Sequence, residues 1–156
     1  MCRARPASFF AAGSGRDLTL PLVTELAAAD TVLLGAPMYT FAVPAAFKAW
    51  IDRVTFPGAF AHLDTRESLL AGTRVVAVLA RGGAYGPDTG RADLDVRLPY
   101  LRAWTARLGV RPEHLHPVAA ELTRVDVLPF LAGQERAAAA SLAEARAALS
   151  RFAAAD

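Results

Sequence analysis

Three short apolar runs, each separated from the next by a segment with helical periodicity, set the strongest limit on the fold. The apolar runs cover residues 31–36, 74–80 and 115–120. Runs this short and this apolar predict strands, the first two of them buried on both faces. Helices are predicted at about 21–29, 44–55, 98–108 and 134–152. Such an alternation indicates an α/β fold with parallel strands and right-handed crossovers.

The segments that follow the predicted strands are the places where a ligand is expected. They cover residues 35–43, 80–91 and 120–131. In an open parallel sheet, ligands bind at the carboxyl ends of the strands. The first segment carries two flat aromatic side chains, Tyr39 and Phe41, and the second carries the pair Gly82 and Gly83, whose backbone can approach a ligand without interference from Cβ. These features favour a planar ligand that forms hydrogen bonds.

The length of the chain fits one domain. Its 156 residues, 54% of them hydrophobic, are enough for a substantial core. Residues 1–15 show no clear period and are predicted to form an unpatterned tail, and the domain is predicted to cover residues 16–156. We find neither an internal repeat nor a linker between domains.

Charge, apolar length and cysteine content exclude several classes of protein. The net charge is only +2 and the arginines are dispersed, so no nucleic-acid partner is expected. No apolar run approaches the roughly 20 residues that a membrane span requires, so no membrane partner is expected either. The single cysteine, Cys2, cannot form an internal disulfide, which favours a reducing compartment and a cytoplasmic location.

The histidines give no sign of a metal site. His62, His114 and His116 lack the spacing to a carboxylate or cysteine partner that a metal-binding cluster requires. His114 and His116 are more simply a pair on the surface or at the edge of the sheet. We therefore expect no metal.

Three segments resemble one enzyme family. They are APMYTF with VPAAFKAWIDRV, then LAGTRVVAVLARGGAYG, and finally PYLRAWTARLGV. In this order and spacing they resemble the FMN-dependent NADH azoreductases, which share a flavodoxin-like fold with the NAD(P)H quinone reductases. The resemblance covers roughly residues 30–150. Thr40 stands where the family usually has Asn, and Ala80 stands where it usually has Ser.

The resemblance implies a set of binding residues. Those implied to contact FMN are Pro37, Met38, Tyr39, Thr40, Phe41, Ala80, Arg81, Gly82 and Gly83, with backbone N–H groups of residues 38–41 bonding the pyrimidine edge of the ring. Phe60, His62 and Tyr85 are expected on the substrate side. No side chain is expected to act as a catalyst, because the flavin itself carries the hydride. The resemblance further implies NADH or NADPH as electron donor, a quinone or azo compound as acceptor, a ping-pong cycle and a homodimer.

The beginning of the chain departs from the family pattern. Family members begin with a strand, a Ser-rich phosphate loop, a helix and a second strand, and residues 1–15 show no apolar strand. We therefore expect a three-layer flavodoxin-like sheet that is truncated at its N-terminus, with residues 31–36 as an edge strand. Three interpretations stay open. One is an FMN-dependent NAD(P)H oxidoreductase, and another is a shortened, non-catalytic homologue that acts as a binding or assembly partner. The third is that the sequence starts at a downstream Met of a longer, active enzyme.

Overall fold

The alternation of helices and strands predicted from the sequence is confirmed. The computed structural model describes residues 14–62, 65 and 67–154. The described elements are α1 (Ser14–Ala28), β1 (Thr31–Gly35), α2 (Ala45–Val54), β2 (Arg74–Ala80), α3 (Arg97–Arg107), β3 (Leu115–Ala120) and α4 (Glu135–Ala153). The predicted tail falls mainly on residues 1–13, which lie outside the described residues, so its boundary stays a prediction.

The three strands form one parallel sheet in the order β1-β2-β3. Within the described residues, β1 therefore lies at one edge, as expected, and β3 lies at the other. The N–H of Arg81 donates to the carbonyl of Ala120, so the even-numbered residues of β3 direct their backbone toward β2. Pro117 then has its missing N–H on the open side of β3, where no ladder bond is lost.

Helices cover both faces of the sheet and give it three layers. The larger apolar cluster joins β1 and β2 to α1, α2 and α3, and includes the buried residues Leu34, Ala77 and Leu101. The smaller cluster joins β2 and β3 to α4 through Val76 and Ala145, among others. Because successive residues of a strand point to opposite faces, β2 contributes to both clusters. The sheet thus has an apolar core on each side. The loops that follow its strands lie at the ends of these cores, where a site can form.

The start of α1 and the end of α3 can be compared with the helix bounds predicted from the sequence. The sequence predicts the first helix from about Pro21 or from an earlier residue, and the structure begins it at Ser14, so Pro21 lies inside it. Inside the helix Pro21 has no N–H to donate, so one helical hydrogen bond is missing there. Gly109 directly follows the predicted third helix at 98–108, and its φ of +78° is the left-handed conformation in which glycine commonly ends a helix. Among the described residues, no helix combines the length and the apolar character needed to cross a membrane.

Candidate functional site

A cavity of about 520 Å³ lies at the carboxyl ends of β1 and β2. Every residue that the sequence implied for cofactor binding lines it, except Arg81. Tyr85, one of the expected substrate contacts, lines it as well. The lining is completed by residues that the sequence did not indicate, which are Arg91, Thr123, Arg124, Leu128 and Phe130. The structure therefore brings the two motif loops together around one space.

The loop after β1 closes in a tight turn. The N–H of Tyr39 donates to the carbonyl of Ala42 at 3.0 Å, and the N–H of Ala42 donates back at 3.1 Å. Thr40 and Phe41 occupy the two central positions with φ of +47° and +68°, as in a type I′ turn. Positive φ is unfavourable for a β-branched residue, so Thr40 holds this backbone under strain. The turn leaves both aromatic side chains exposed at the cavity, where Phe41 meets Tyr85 edge-to-face at 6.3 Å.

The backbone donors around the cavity fall into two groups. The N–H of Met38 donates to the carbonyl of Ala80 at 2.9 Å, and that of Tyr39 is bonded within the turn. These two groups are satisfied by the protein itself, although the resemblance implied that they would bond a ligand. The N–H groups without an acceptor among the described residues are those of Thr40, Phe41, Gly82 and Gly83. A ligand in the cavity can therefore be held by backbone donors from both loops.

The loop after β2 is fixed against the segment that follows β3. The carbonyl of Gly82 accepts from the N–H of Arg124 at 3.3 Å, and that of Gly83 accepts from the N–H of Leu122 at 3.1 Å. The absence of a side chain at Gly82 matters here, because a Cβ would lie only 3.0 Å from Cγ of Arg124. Gly82 thus allows the arginine stem to pack directly over the loop.

Arg81 is turned into an ion cluster instead of the cavity. Its Nε lies 3.0 Å from Oδ2 of Asp95, and its Nη1 lies 2.8 Å from Oε1 of Glu121. Its backbone is engaged too, since its N–H bonds to Ala120 and its carbonyl accepts from Thr123. Among the residues implied for cofactor binding, Arg81 is thus the one that the structure does not bring to the cavity.

Arg97, which the sequence did not indicate, joins the ion cluster to both loops. Its side chain is fully buried and forms a two-pronged pair with Asp95, from Nε at 2.9 Å and from Nη2 at 2.8 Å. Its Nη1 donates to the carbonyls of Ala36, at 2.5 Å, and Ala80, at 2.9 Å. These carbonyls lie where β1 and β2 give way to the loops that line the cavity. Arg97 therefore holds the starting points of the two loops together.

With this geometry in place, comparison with known proteins gives the family. Residues 17–153 match the family described as flavodoxin-like fold. The chain belongs to this family. An FMN-dependent NADH:quinone oxidoreductase of Frankia alni is 39% identical over 140 residues, which are 86% of this chain and 65% of that protein. One of Methylobacterium radiotolerans is 42% identical over 100 residues, which are 63% of this chain and 49% of that protein. The chain thus spans about half to two thirds of the length of these curated relatives.

Solved structures show the same fold. An FMN-dependent NADH-azoreductase from Bacillus anthracis, in complex with FMN, matches with a TM-score of 0.67 and 24% identity over 88% of this chain and 62% of that one. Azoreductase AzrA matches with a TM-score of 0.71 and 21% identity over 94% of this chain and 70% of that one. At this level of identity the likeness concerns the fold alone.

The charge of Asp95 in this flavodoxin-like chain is set by its arginine partners. Burial alone would raise the pKa of Asp95, but hydrogen bonds from Arg97 and the positive charges of Arg97 and Arg81 outweigh it. The pKa of this carboxyl therefore lies below its ordinary value. The Asp95 carboxyl is therefore ionised at neutral pH.

Two of the expected substrate residues lie apart from the cavity. Phe60 is buried in the core, at 4% exposure, and lines a separate cavity of about 390 Å³ where the C-terminal ends of α2 and α3 meet. His62 donates its backbone N–H to Glu67, and its Nδ1 accepts from the N–H of Thr65. Neither residue lines the candidate site, so their contact with a substrate stays a prediction. Within the described part of the chain, no group of three or more His, Cys, Asp or Glu side chains could hold a metal.

Proposed function

We propose that this chain binds FMN in the cavity at the carboxyl ends of β1 and β2 and acts as an NADH-dependent oxidoreductase on quinones or azo compounds. The observation that carries the proposal is the meeting of the two motif loops around one cavity with unsatisfied backbone donors. The names of the curated relatives support the choice of cofactor and donor.

The lining of the cavity fits a flavin ring. Tyr39, Phe41 and Tyr85 offer flat apolar surface for an aromatic ring system. The free N–H groups at 40, 41, 82 and 83 suit the oxygen and nitrogen acceptors along one edge of such a ring. When bound, FMN would supply the hydride chemistry, from NADH to the acceptor in a ping-pong cycle.

The protein's own part in this function is to position the ligand. Apart from two arginines, the described residues that line the cavity are uncharged, and none of them is a carboxylate or a histidine. We therefore assign no acid or base catalyst. Arg97 and Asp95 keep the two loops at a fixed separation, which determines how well a planar ring fits between them. A rigid, preformed wall reduces the entropy lost on binding.

Exposed apolar side chains around the cavity support a homodimer. Tyr39, Phe41 and Phe130 line the cavity and are exposed, with 70% of Phe130 accessible. Val96 is exposed too, and its N–H bonds to the carbonyl of Phe41, which places it beside them. Apolar groups clustered on a surface commonly mark an interface. We propose that two copies associate near the cavity, in the reducing, cytoplasmic compartment that the single cysteine favours.

Absorbance and flavin titration test this proposal. The purified protein, incubated with FMN and desalted, is expected to be yellow, with an absorbance band near ~450 nm from the flavin. The variant Gly82→Val is expected to lose FMN binding, because its side chain would collide with the stem of Arg124, which lines the same cavity, and so disturb the cavity wall. The matched control is Gly72→Val, where an added Cβ meets nothing within 4 Å and φ is not positive.

Two results would contradict the proposal. Wild-type protein that remains colourless and takes up no added FMN would exclude the flavin function for this chain. Equal FMN affinity in Gly82→Val and Gly72→Val, with both folded by circular dichroism, would place the ligand away from this loop.

One observation favours the alternative of a non-catalytic partner. Ala36 donates its N–H to Val78, so the even-numbered residues near β1 face β2, and Leu33 directs its backbone to the open edge. The Leu33 side chain is 69% exposed. An apolar edge strand can pair with a strand of another chain. A folded, colourless protein without flavin affinity would support this second function.

A further inference from the structure

The cavity carries two positive charges that nothing in the described chain neutralises. Arg91 and Arg124 are the charged residues of its lining, and both side chains are exposed. Neither forms an ion pair with any described carboxylate. The nearby Arg81 differs, because Asp95 and Glu121 compensate its charge.

Both arginines project from backbone that is held in place. The N–H of Arg124 donates to Gly82, and its carbonyl accepts from the N–H groups of Val127 and Leu128. The N–H of Arg91 donates to Oγ1 of Thr89 at 3.2 Å. Both residues line the same cavity from different loops, Arg91 after β2 and Arg124 after β3. Two cationic side chains in one cavity lining favour an anionic group on the ligand.

We propose that Arg91 and Arg124 form a subsite for an anionic group on a small molecule that occupies the cavity. The group is a phosphate, sulfonate or carboxylate, because the planar guanidinium matches the paired oxygens of these anions. The inference rests on the proposed flavin function, since the ligand is either FMN or a molecule that reacts with it. The anion is thus the phosphate of FMN itself or a charged substituent on the electron acceptor.

Paired ligands that differ in one charged group test the subsite. In the first arm, dissociation constants of FMN and riboflavin are measured by quenching of flavin fluorescence. In the second, kcat/KM is measured for a neutral naphthoquinone and its sulfonated analogue with the FMN-loaded enzyme. The proteins are wild type, Arg91→Gln, Arg124→Gln, the double variant, and the control Arg146→Gln, an exposed arginine of α4 that lies outside the cavity lining.

We expect the cavity variants to bind or use the anionic ligand of each pair less well, and the neutral ligand almost as well as wild type does. Each cavity variant should weaken one anionic ligand by about 5-fold and the double variant by about 25-fold, because the contacts are charge-assisted but partly exposed to water. The neutral ligand of the same pair should change less than 2-fold, and added salt should reduce the difference. If the cavity variants weaken FMN binding but leave kcat/KM for the sulfonated quinone unchanged, the subsite holds the cofactor phosphate. If they lower kcat/KM for the sulfonated quinone but leave FMN binding unchanged, the subsite holds the charged group of the acceptor.

Failure of the anion subsite and failure of the proposed flavin function give different results. Cavity variants that weaken both members of a pair equally, or that match Arg146→Gln throughout, would overturn the anion subsite while leaving flavin binding intact. Wild-type protein that binds neither FMN nor riboflavin would overturn the proposed function and the subsite with it.

Discussion

Replacing Arg97 with methionine should destabilise the protein more than most single changes. The guanidinium of Arg97 holds both carboxylate oxygens of Asp95 and the carbonyls of Ala36 and Ala80. Methionine has comparable length but donates no hydrogen bond. Removing one partner of a buried ion pair costs about 3–5 kcal/mol. The carbonyl of Ala80 keeps the hydrogen bond from the N–H of Met38, so its loss of Arg97 adds little. Because Arg81 still faces Asp95, we expect a total loss of about 3–5 kcal/mol.

Urea unfolding followed by circular dichroism measures this loss. With a slope of about 2 kcal/mol per molar urea, the midpoint should fall by roughly 2 M. The control is Arg102→Met on the exposed side of the same helix, which should change stability by less than about 0.5 kcal/mol. If Arg97→Met is too unstable to purify, Arg97→Lys keeps the charge without the fork and should show a smaller loss of the same sign.

A decrease in the free energy of unfolding of less than about 1 kcal/mol in Arg97→Met would refute the reasoning, because breaking a buried ion pair costs more than this. The double variant Asp95→Leu with Arg97→Met gives an independent check. Replacing both charges removes the uncompensated carboxylate, so the double variant should lose less stability than the sum of the single variants. Strict additivity would mean that the two side chains do not act together.

Three further predictions concern single positions. The pKa of Asp95 is lowered in the folded state, so its negative charge stabilises the fold above the unfolded pKa, and this contribution disappears as the pH falls through the folded pKa. The difference in the free energy of unfolding between wild type and Asp95→Asn, measured by urea titration at each pH, should therefore be present at pH 7 and narrow below about pH 4. Thr40→Asn should raise stability by about 0.5–1 kcal/mol, since Asn tolerates positive φ better than a β-branched residue. Gly109→Ala should cost about 2–4 kcal/mol, because its φ is +78° and the new Cβ would lie 2.4 Å from Cβ of Ser68.

Each of these has a contrary outcome. A stability gap for Asp95→Asn that is constant from pH 3 to pH 7 would mean that its carboxylate is not the stabilising form. A destabilised Thr40→Asn would show that the turn is not strained at this residue. A Gly109→Ala variant as stable as wild type would mean that the helix end can adopt another conformation.

The parts of the fold that the sequence predicted are those with local signals. Residues 74–80 form a continuous apolar run, and the helices between the strands have their own period. Pro117 in the third apolar run is also a local signal, because proline has no N–H to donate and therefore favours an edge strand. Helix α1 begins at Ser14, earlier than about Pro21, and its first residues belong to the segment 1–15, which shows no clear period from which a helix start could be predicted.

The parts of the site that the sequence missed depend on distant contacts. Arg97 bonds to the carbonyl of Ala36, which lies 61 positions away, and no local pattern encodes such a pair. Arg91 and Arg124 sit in polar loops where isolated arginines are common, and only the fold brings them to one cavity. The tight turn at Thr40 was also unexpected, because positive φ at two successive positions usually signals Asn or Gly.

The central claim is that the loops at the carboxyl ends of β1 and β2 hold the flavin ring. It is tested most directly by ¹⁵N–¹H correlation spectra of the protein recorded during titration with FMN. The largest shifts are predicted at the amides with free N–H groups in this cavity, which are Thr40, Phe41, Gly82 and Gly83. Unchanged spectra, or shifts confined to Gly58 and Gly109 in the separate cavity between α2 and α3, would contradict it.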